Sequence, residues 1–106
     1  MKLGIILYSK DAEVVFNAFR LANFSLNEGD QVQVFLLASG VDYQYLNSDT
    51  FSIIDLAQKL IDGGGELLAC GTCLKLRNRD DSELCPLSTM KDLYKLIKYC
   101  DKIITF

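Results

Sequence analysis

The sequence predicts an α/β domain of three layers, with a mostly parallel sheet of four or five strands between helices. Three observations predict it. Near-continuous apolar runs such as Leu3-Gly4-Ile5-Ile6-Leu7 suit strands buried on both faces. Those runs alternate with amphipathic stretches of helical period, the order that builds parallel βαβ units. At 106 residues, half of them hydrophobic, the chain fits one domain (residues 1–106) with a real core.

The elements follow in order. Leu3 to Tyr8 reads as the first strand, and Ser9-Lys10-Asp11 as a turn supplying a helix N-cap. Ala12 to Asn27 reads as a helix with Val14, Val15, Ala18, Leu21 and Ala22 as its apolar residues. Phe24 falls in its polar stripe beside Asn17, Arg20 and Asn27, so it should face outward. Glu28-Gly29-Asp30 closes that helix, with Gly29 in the left-handed region. Gln31 to Leu37 is the second strand, and Ala38-Ser39-Gly40 follows its carboxyl end. Val41 to Asp49 reads as an irregular loop carrying Tyr43 and Tyr45.

Thr50 to Asp62 is the second helix, with Ser52 and Asp55 spaced for a capping box that would start it two residues later. The triple glycine at 63–65 ends it and precedes a strand. A phosphate cradle instead follows a strand and opens a helix. Glu66 to Ala69 is the third strand and delivers Cys70. Leu74 to Arg77 reads as a helical turn, residues 78–83 as a charged loop, and Leu84 to Leu87 as a short strand confined by Pro86 to an edge or an end. Thr89 and Asp92 are spaced to cap a last helix running to about Tyr99. Met90, Leu93, Tyr94, Ile97 and Cys100 share one face of it, and Lys102 to Phe106 is the final strand.

Composition narrows the function. A net charge of -3 leaves no electrostatic footprint for nucleic acid. No apolar run approaches the ~20 residues of a membrane span, and the N-terminal run lacks a signal peptide's cleavage site; the expectation is a cytoplasmic protein that binds neither nucleic acid nor membrane. The absence of histidine removes Ser-His-Asp triads, Cys-His dyads and histidine metal sites. Four cysteines remain, at 70, 73, 85 and 100.

Sulfur chemistry is thus the open route, and Cys70-Gly71-Thr72-Cys73 is its candidate site. Parallel sheets gather ligands beyond the carboxyl ends of their strands, where strand order switches. Three loops should meet there: Tyr8-Ser9-Lys10, Ala38-Ser39-Gly40 and the Cys70–Cys73 stretch. Ser9, Lys10, Ser39, Gly40, Gly71 and Thr72 are therefore the candidate substrate-binding residues, with Cys70 and Cys73 catalytic. Cys70, first after the strand, should hold its sulfur at the mouth. A helix over Thr72 to Arg77 would aim free N–H groups at it and lower its pKa, with Lys10, Lys75 or Arg77 as possible added charge. Cys100 reads as a small hydrophobe on a helix face. Cys85 is open between core residue, resolving thiol and metal ligand.

These residues resemble the DsrE/DsrF-like family of small sulfur-relay proteins. The resemblance runs from Lys2-Leu3-Gly4-Ile5 through Phe19-Arg20-Leu21-Ala22-Asn23-Phe24, residues 29–35, Ser39-Gly40-Val41 and Cys70-Gly71-Thr72-Cys73-Leu74 to residues 100–106. The Cys-Gly-Thr-Cys-Leu segment is also similar to the C-terminal domain of YedF-type proteins. The resemblance implies a flavodoxin-like (DsrE-like) fold, assembly into homotrimers or homohexamers, and a sulfurtransferase-type role. Sulfur would be carried as a persulfide on Cys70, the position of the active cysteine in TusD-like relay members. Those members have no second cysteine at the position of Cys73, which leaves open whether this chain relays sulfur or works as a dithiol.

The leading expectation is a carrier that takes sulfane sulfur from a donor protein on Cys70 and hands it to an acceptor protein, with no organic cofactor. In it, Cys73 is a candidate to resolve the persulfide as a disulfide. The rival is a redox or zinc-binding regulatory module using Cys70, Cys73 and Cys85, with Asp80 or Asp81 as a further ligand. A third reading is a structural subunit, in which Cys70 has ordinary reactivity.

Overall fold

The structure, a computed structural model, describes residues 1–78 and 87–106. In chain order the elements are β1 (Lys2–Leu7), α1 (Ala12–Asn27), β2 (Gln31–Leu36), a 3-10 helix (Ala38–Leu46), α2 (Ile53–Asp62), β3 (Glu66–Cys70), α3 (Gly71–Leu76), β4 (Leu87–Ser88), α4 (Met90–Tyr99) and β5 (Lys102–Thr105). The strands form one sheet in the order β4-β3-β2-β1-β5. Every pairing among them is parallel.

The topology follows from right-handed crossovers. The chain steps from β1 to β2 to β3 in one direction, so α1 and α2 share a face, and they pack on each other. From β4 it crosses back to the far edge, which puts α4 on the opposite face. Gly4 marks how closely that helix lies: an added Cβ would come within 2.7 Å of Leu96 and 3.1 Å of the Cys100 sulfur. The core is built from Leu3, Ile5 and Leu7 of β1, Val32, Val34 and Leu36 of β2, and Val15, Phe19, Ala57 and Leu60 of the helices.

The local signals act as their chemistry requires. The Asp11 side chain accepts the Val14 N–H and opens α1. Gly29 turns the chain with φ +94°. Thr89 donates its N–H to Asp92 at 2.8 Å and starts α4.

Four expectations are corrected. The apolar face of α1 is Val15, Ala18, Phe19 and Ala22; Val14 and Leu21 lie toward solvent at its borders. Residues 41–46 are not an irregular loop. They wind into the 3-10 helix because Val41 and Tyr43 are buried, Tyr43 packing 5.8 Å from the Phe19 ring. Helix α2 begins at Ile53 without a bond from the Ser52 side chain, and Asn47 takes the Ile54 N–H instead. In α4 the sheet is met by Leu93, Leu96 and Cys100, while Met90, Tyr94 and Ile97 are exposed. Two neighbouring apolar stripes run along that helix, and a single helix lying on the sheet buries one of them.

Candidate active site: a cysteine pair at the end of β3

β3 is an internal strand, held between β2 and β4. Its last residue, Cys70, pairs with Ser88 of β4 and is only 3% exposed. The expected thiol at an open mouth is thus corrected: Cys70 ends the strand rather than following it, and its neighbours cover it. The reversal of strand order falls between β1 and β5, so the cysteine pair does not lie at the switch point either.

Cys70 is also the N-cap of α3. Its backbone is still extended (φ -61°, ψ 114°), and its sulfur accepts the Cys73 N–H at 3.4 Å. A sulfur here takes the place a serine or aspartate oxygen fills at other helix starts, and it occupies one of the donors a helix leaves free. The helical turn expected at 74–77 begins earlier, at Gly71.

Cys73 is partly buried and completes the pair. Its sulfur accepts the Ala38 N–H at 3.2 Å. The Cys73 thiol is raised above its ordinary value: burial pushes it up, and so does the neighbouring Cys70, while the Ala38 N–H and the Arg77 guanidinium only partly offset this. Ala38 holds φ +51°, a left-handed conformation that costs a non-glycine residue about 1 kcal/mol. That conformation places its N–H on the Cys73 sulfur.

Arg77 ties the two segments together. From the end of α3 it donates to the Cys73 carbonyl at 3.1 Å and to the Ser39 hydroxyl at 3.3 Å, and it pairs with Asp42 at 3.3 Å. Of the three candidate cations, Arg77 is the one facing the pair, while Lys10 and Lys75 are exposed.

The other candidates divide. Ser39 is joined to the site through Arg77, while Gly40 packs on the end of β1: an added Cβ would fall 1.9 Å from the Leu7 carbonyl oxygen. Thr72 is exposed on the first turn of α3. At Gly71 a Cβ would make ordinary contact with β4, 3.4 Å from the Ser88 oxygen, so packing does not demand glycine there. Ser9 sits at the end of β1 and accepts the Asp11 N–H, a turn bond at the start of α1. Neither Ser9 nor Lys10 is hydrogen-bonded to either thiol.

Cys85, Asp80 and Asp81 lie outside the described residues. Among the described residues no three His, Cys, Asp or Glu side chains cluster. Cys100 is at the opposite end of the sheet, 3.8 Å from the Gln33 side-chain oxygen, and burial and Asp101 push its thiol up. Sequence reasoning missed Asp42, and it placed Ala38 in a loop at the site without giving its N–H a role. Arg77 was accessible to it, four residues past Cys73 and so on the same face of a helical turn.

The fold and site together define a parallel three-layer α/β domain with a capped cysteine pair at an internal strand end. The chain matches the DsrE/DsrF-like family over residues 1–106 and belongs to it. An uncharacterized protein of Methanocaldococcus jannaschii, MJ0989, is 32% identical over the full length of both chains. Another, MK0008 of Methanopyrus kandleri, is 33% identical over 89% of this chain and 83% of its own. Two solved structures share the fold: the YchN protein of E. coli, at TM-score 0.84 over all of both chains, and BT1422 of Bacteroides thetaiotaomicron, at 0.79 over 99% and 94%. Both are 20% identical to this chain, a likeness that speaks to fold alone.

Proposed function

We propose that the chain carries sulfane sulfur as a persulfide on Cys70, within the sulfur-relay chemistry that its family suggests. The observation that supports this is the cap geometry, in which the Cys70 sulfur accepts the N–H of Cys73 at the head of α3. In loading, the Cys70 thiolate attacks the outer sulfur of a donor persulfide. A new S–S bond forms on Cys70, the donor's S–S bond breaks, and the donor cysteine leaves as thiolate. Attack by an acceptor protein's thiol on that outer sulfur then regenerates Cys70. No organic cofactor enters either step.

The burial of Cys70 means that loading needs local opening, for which the six-residue α3 is the suitable element. Gly71, having no side chain, lets a partner approach the backbone there closely. Such a carrier works where thiols stay reduced, and we assign it to the cytoplasm. We also propose that it assembles as a homotrimer or homohexamer, for which the support is the exposed Phe24 on α1, at 65%.

The test is mass spectrometry after incubation with an inorganic polysulfide. The native chain and Cys73→Ser should each gain one sulfur atom on Cys70, trapped by immediate alkylation, and Cys70→Ser should gain none at that position. Loading of Cys100 in place of Cys70 would refute the reading.

A further inference from the structure

We propose that Cys73 discharges the Cys70 persulfide within the chain, releasing its outer sulfur as sulfide and leaving a Cys70–Cys73 disulfide. This rests on the persulfide reading above and adds a second activity to it.

The two cysteines are already joined at close range. The Cys73 N–H points at the Cys70 sulfur from 3.4 Å, and Cys70 is near enough to act on the Cys73 thiol. Any sulfur added to Cys70 is therefore attached to an atom within reach of Cys73. The two cysteines sit at the N-cap and on the first turn of a helix, with Gly71 and Thr72 between them, a placement compatible with a bridge. Burial and the neighbouring Cys70 hold the Cys73 thiol up, and two groups offset this for the thiolate it must form: the Ala38 N–H at 3.2 Å from its sulfur and the Arg77 guanidinium.

The step balances. The Cys73 thiolate attacks the inner sulfur, that of Cys70. The Cys73–Cys70 S–S bond forms as the bond to the outer sulfur breaks. The outer sulfur leaves with the electron pair and takes up the proton that Cys73 gave up, so it is reduced to hydrogen sulfide. The two cysteine sulfurs are oxidised to a disulfide. Return to the dithiol requires a protein or small-molecule dithiol reductant, acting by exchange.

Rate competition explains why this matters to a carrier. A thiol fixed beside the persulfide acts with an effective concentration of up to about 10⁵ M or more, far above that of any partner protein. Handing sulfur onward therefore demands that the acceptor hold Cys73 away, and in the absence of an acceptor the sulfur is shed.

The experiment loads the native chain and Cys73→Ser with inorganic polysulfide and removes the excess by rapid desalting. Sulfide release is then followed with no added thiol, and the products are mapped by mass spectrometry. The native chain should release about one sulfide per loaded chain and accumulate a 70–73 disulfide. Cys73→Ser should keep its persulfide, with release slower by roughly 100-fold or more. Thermal melts of both proteins verify that the serine variant is folded. A native chain that keeps its persulfide as long as Cys73→Ser overturns the inference and leaves the carrier reading standing. A dominant 70–85 disulfide overturns it in favour of Cys85. Failure of both proteins to load at Cys70 removes the carrier reading itself.

Discussion

Replacing Gly40 by alanine tests the site without touching a thiol. The methyl group would sit 1.9 Å from the Leu7 carbonyl oxygen and 2.8 Å from its carbon, both backbone atoms. That oxygen already accepts the Leu37 N–H at 2.9 Å, so it cannot swing aside without breaking a second bond. Real contacts of this kind do not fall below 3.0 Å, so the segment after β2 must retreat by roughly 1 Å. The cost expected for such overpacking is about 1–3 kcal/mol, which lowers the melting midpoint of a domain this size by about 5–20 °C. The same retreat stretches the Ala38 N–H bond to Cys73 and the Arg77 bond to Ser39, at 3.2 and 3.3 Å in the native fold. Cys73 then loses a donor that pulls its thiol down, and its alkylation midpoint moves to higher pH. The assay is a thermal melt by circular dichroism, followed by alkylation at a series of pH values with each cysteine quantified by peptide mass. Unchanged melting together with an unchanged Cys73 profile would show that the 3-10 segment does not set the state of this thiol.

Arg77→Met removes a charge that pulls the Cys73 thiol down, so alkylation of Cys73 should also shift upward in pH; Arg77→Lys should restore part of the shift. Cys100, pushed up by burial and Asp101, should remain largely unmodified at pH 7 in the folded protein, and the same peptide maps report it. Light scattering should give an oligomer, and Phe24→Asp should dissociate it; a monomeric native chain at tens of micromolar would refute the assembly, and an intact variant would move the interface off α1. The Asp30 carboxyl is held below its ordinary value by the N-terminal ammonium and Ser25, and the Asp92 carboxyl by the Thr89 N–H and hydroxyl. Their stabilisation is full above the ordinary carboxylate pKa of about 4 and is lost as pH falls through the lower folded values, so Asp92→Asn should flatten the acid limb of a stability–pH curve.

The parts of the fold that were legible in the sequence are those set by local chemistry. β1 reads as a strand because burial on both faces leaves it apolar from Leu3 to Leu7, and β2 and β3 because each opens on an exposed polar residue, Gln31 or Glu66, and turns apolar toward its buried carboxyl end. Gly29 read as a left-handed turn, and Thr89 with Asp92 as a cap, because each signal needs only a few adjacent residues. The 3-10 helix did not read. Its residues carry no helical period, and it forms because Tyr43 finds Phe19, a contact made across the fold. The buried stripe of α4 was equally hidden. Leu93-Leu96-Cys100 and Met90-Tyr94-Ile97 are both apolar at helical spacing, and the choice between them depends on how the helix lies over Gly4.

At the site, residue types were legible and their exposures were not. Reasoning from strand ends puts the first cysteine at the surface, because a lone strand end faces solvent. Here β3 lies between β2 and a two-residue β4, and α3 begins at the very next residue, so the strand end is covered on its sides and above. Short elements such as β4 leave almost no pattern in a sequence, yet this one determines which thiol meets solvent. The consequence reverses the expected order of access. Cys70, whose sulfur accepts the Cys73 N–H, is enclosed. Cys73, whose sulfur accepts the Ala38 N–H and whose carbonyl accepts from Arg77, is the more open of the two. A partner's thiol arriving from solvent therefore meets Cys73 first. If the same displacement of Cys73 that exposes Cys70 also withdraws the attacking sulfur, docking of an acceptor both opens the carrier and stops its discharge. A docked acceptor should then lower sulfide release in the measure that it raises transfer, and the two rates measured in one reaction would test that coupling.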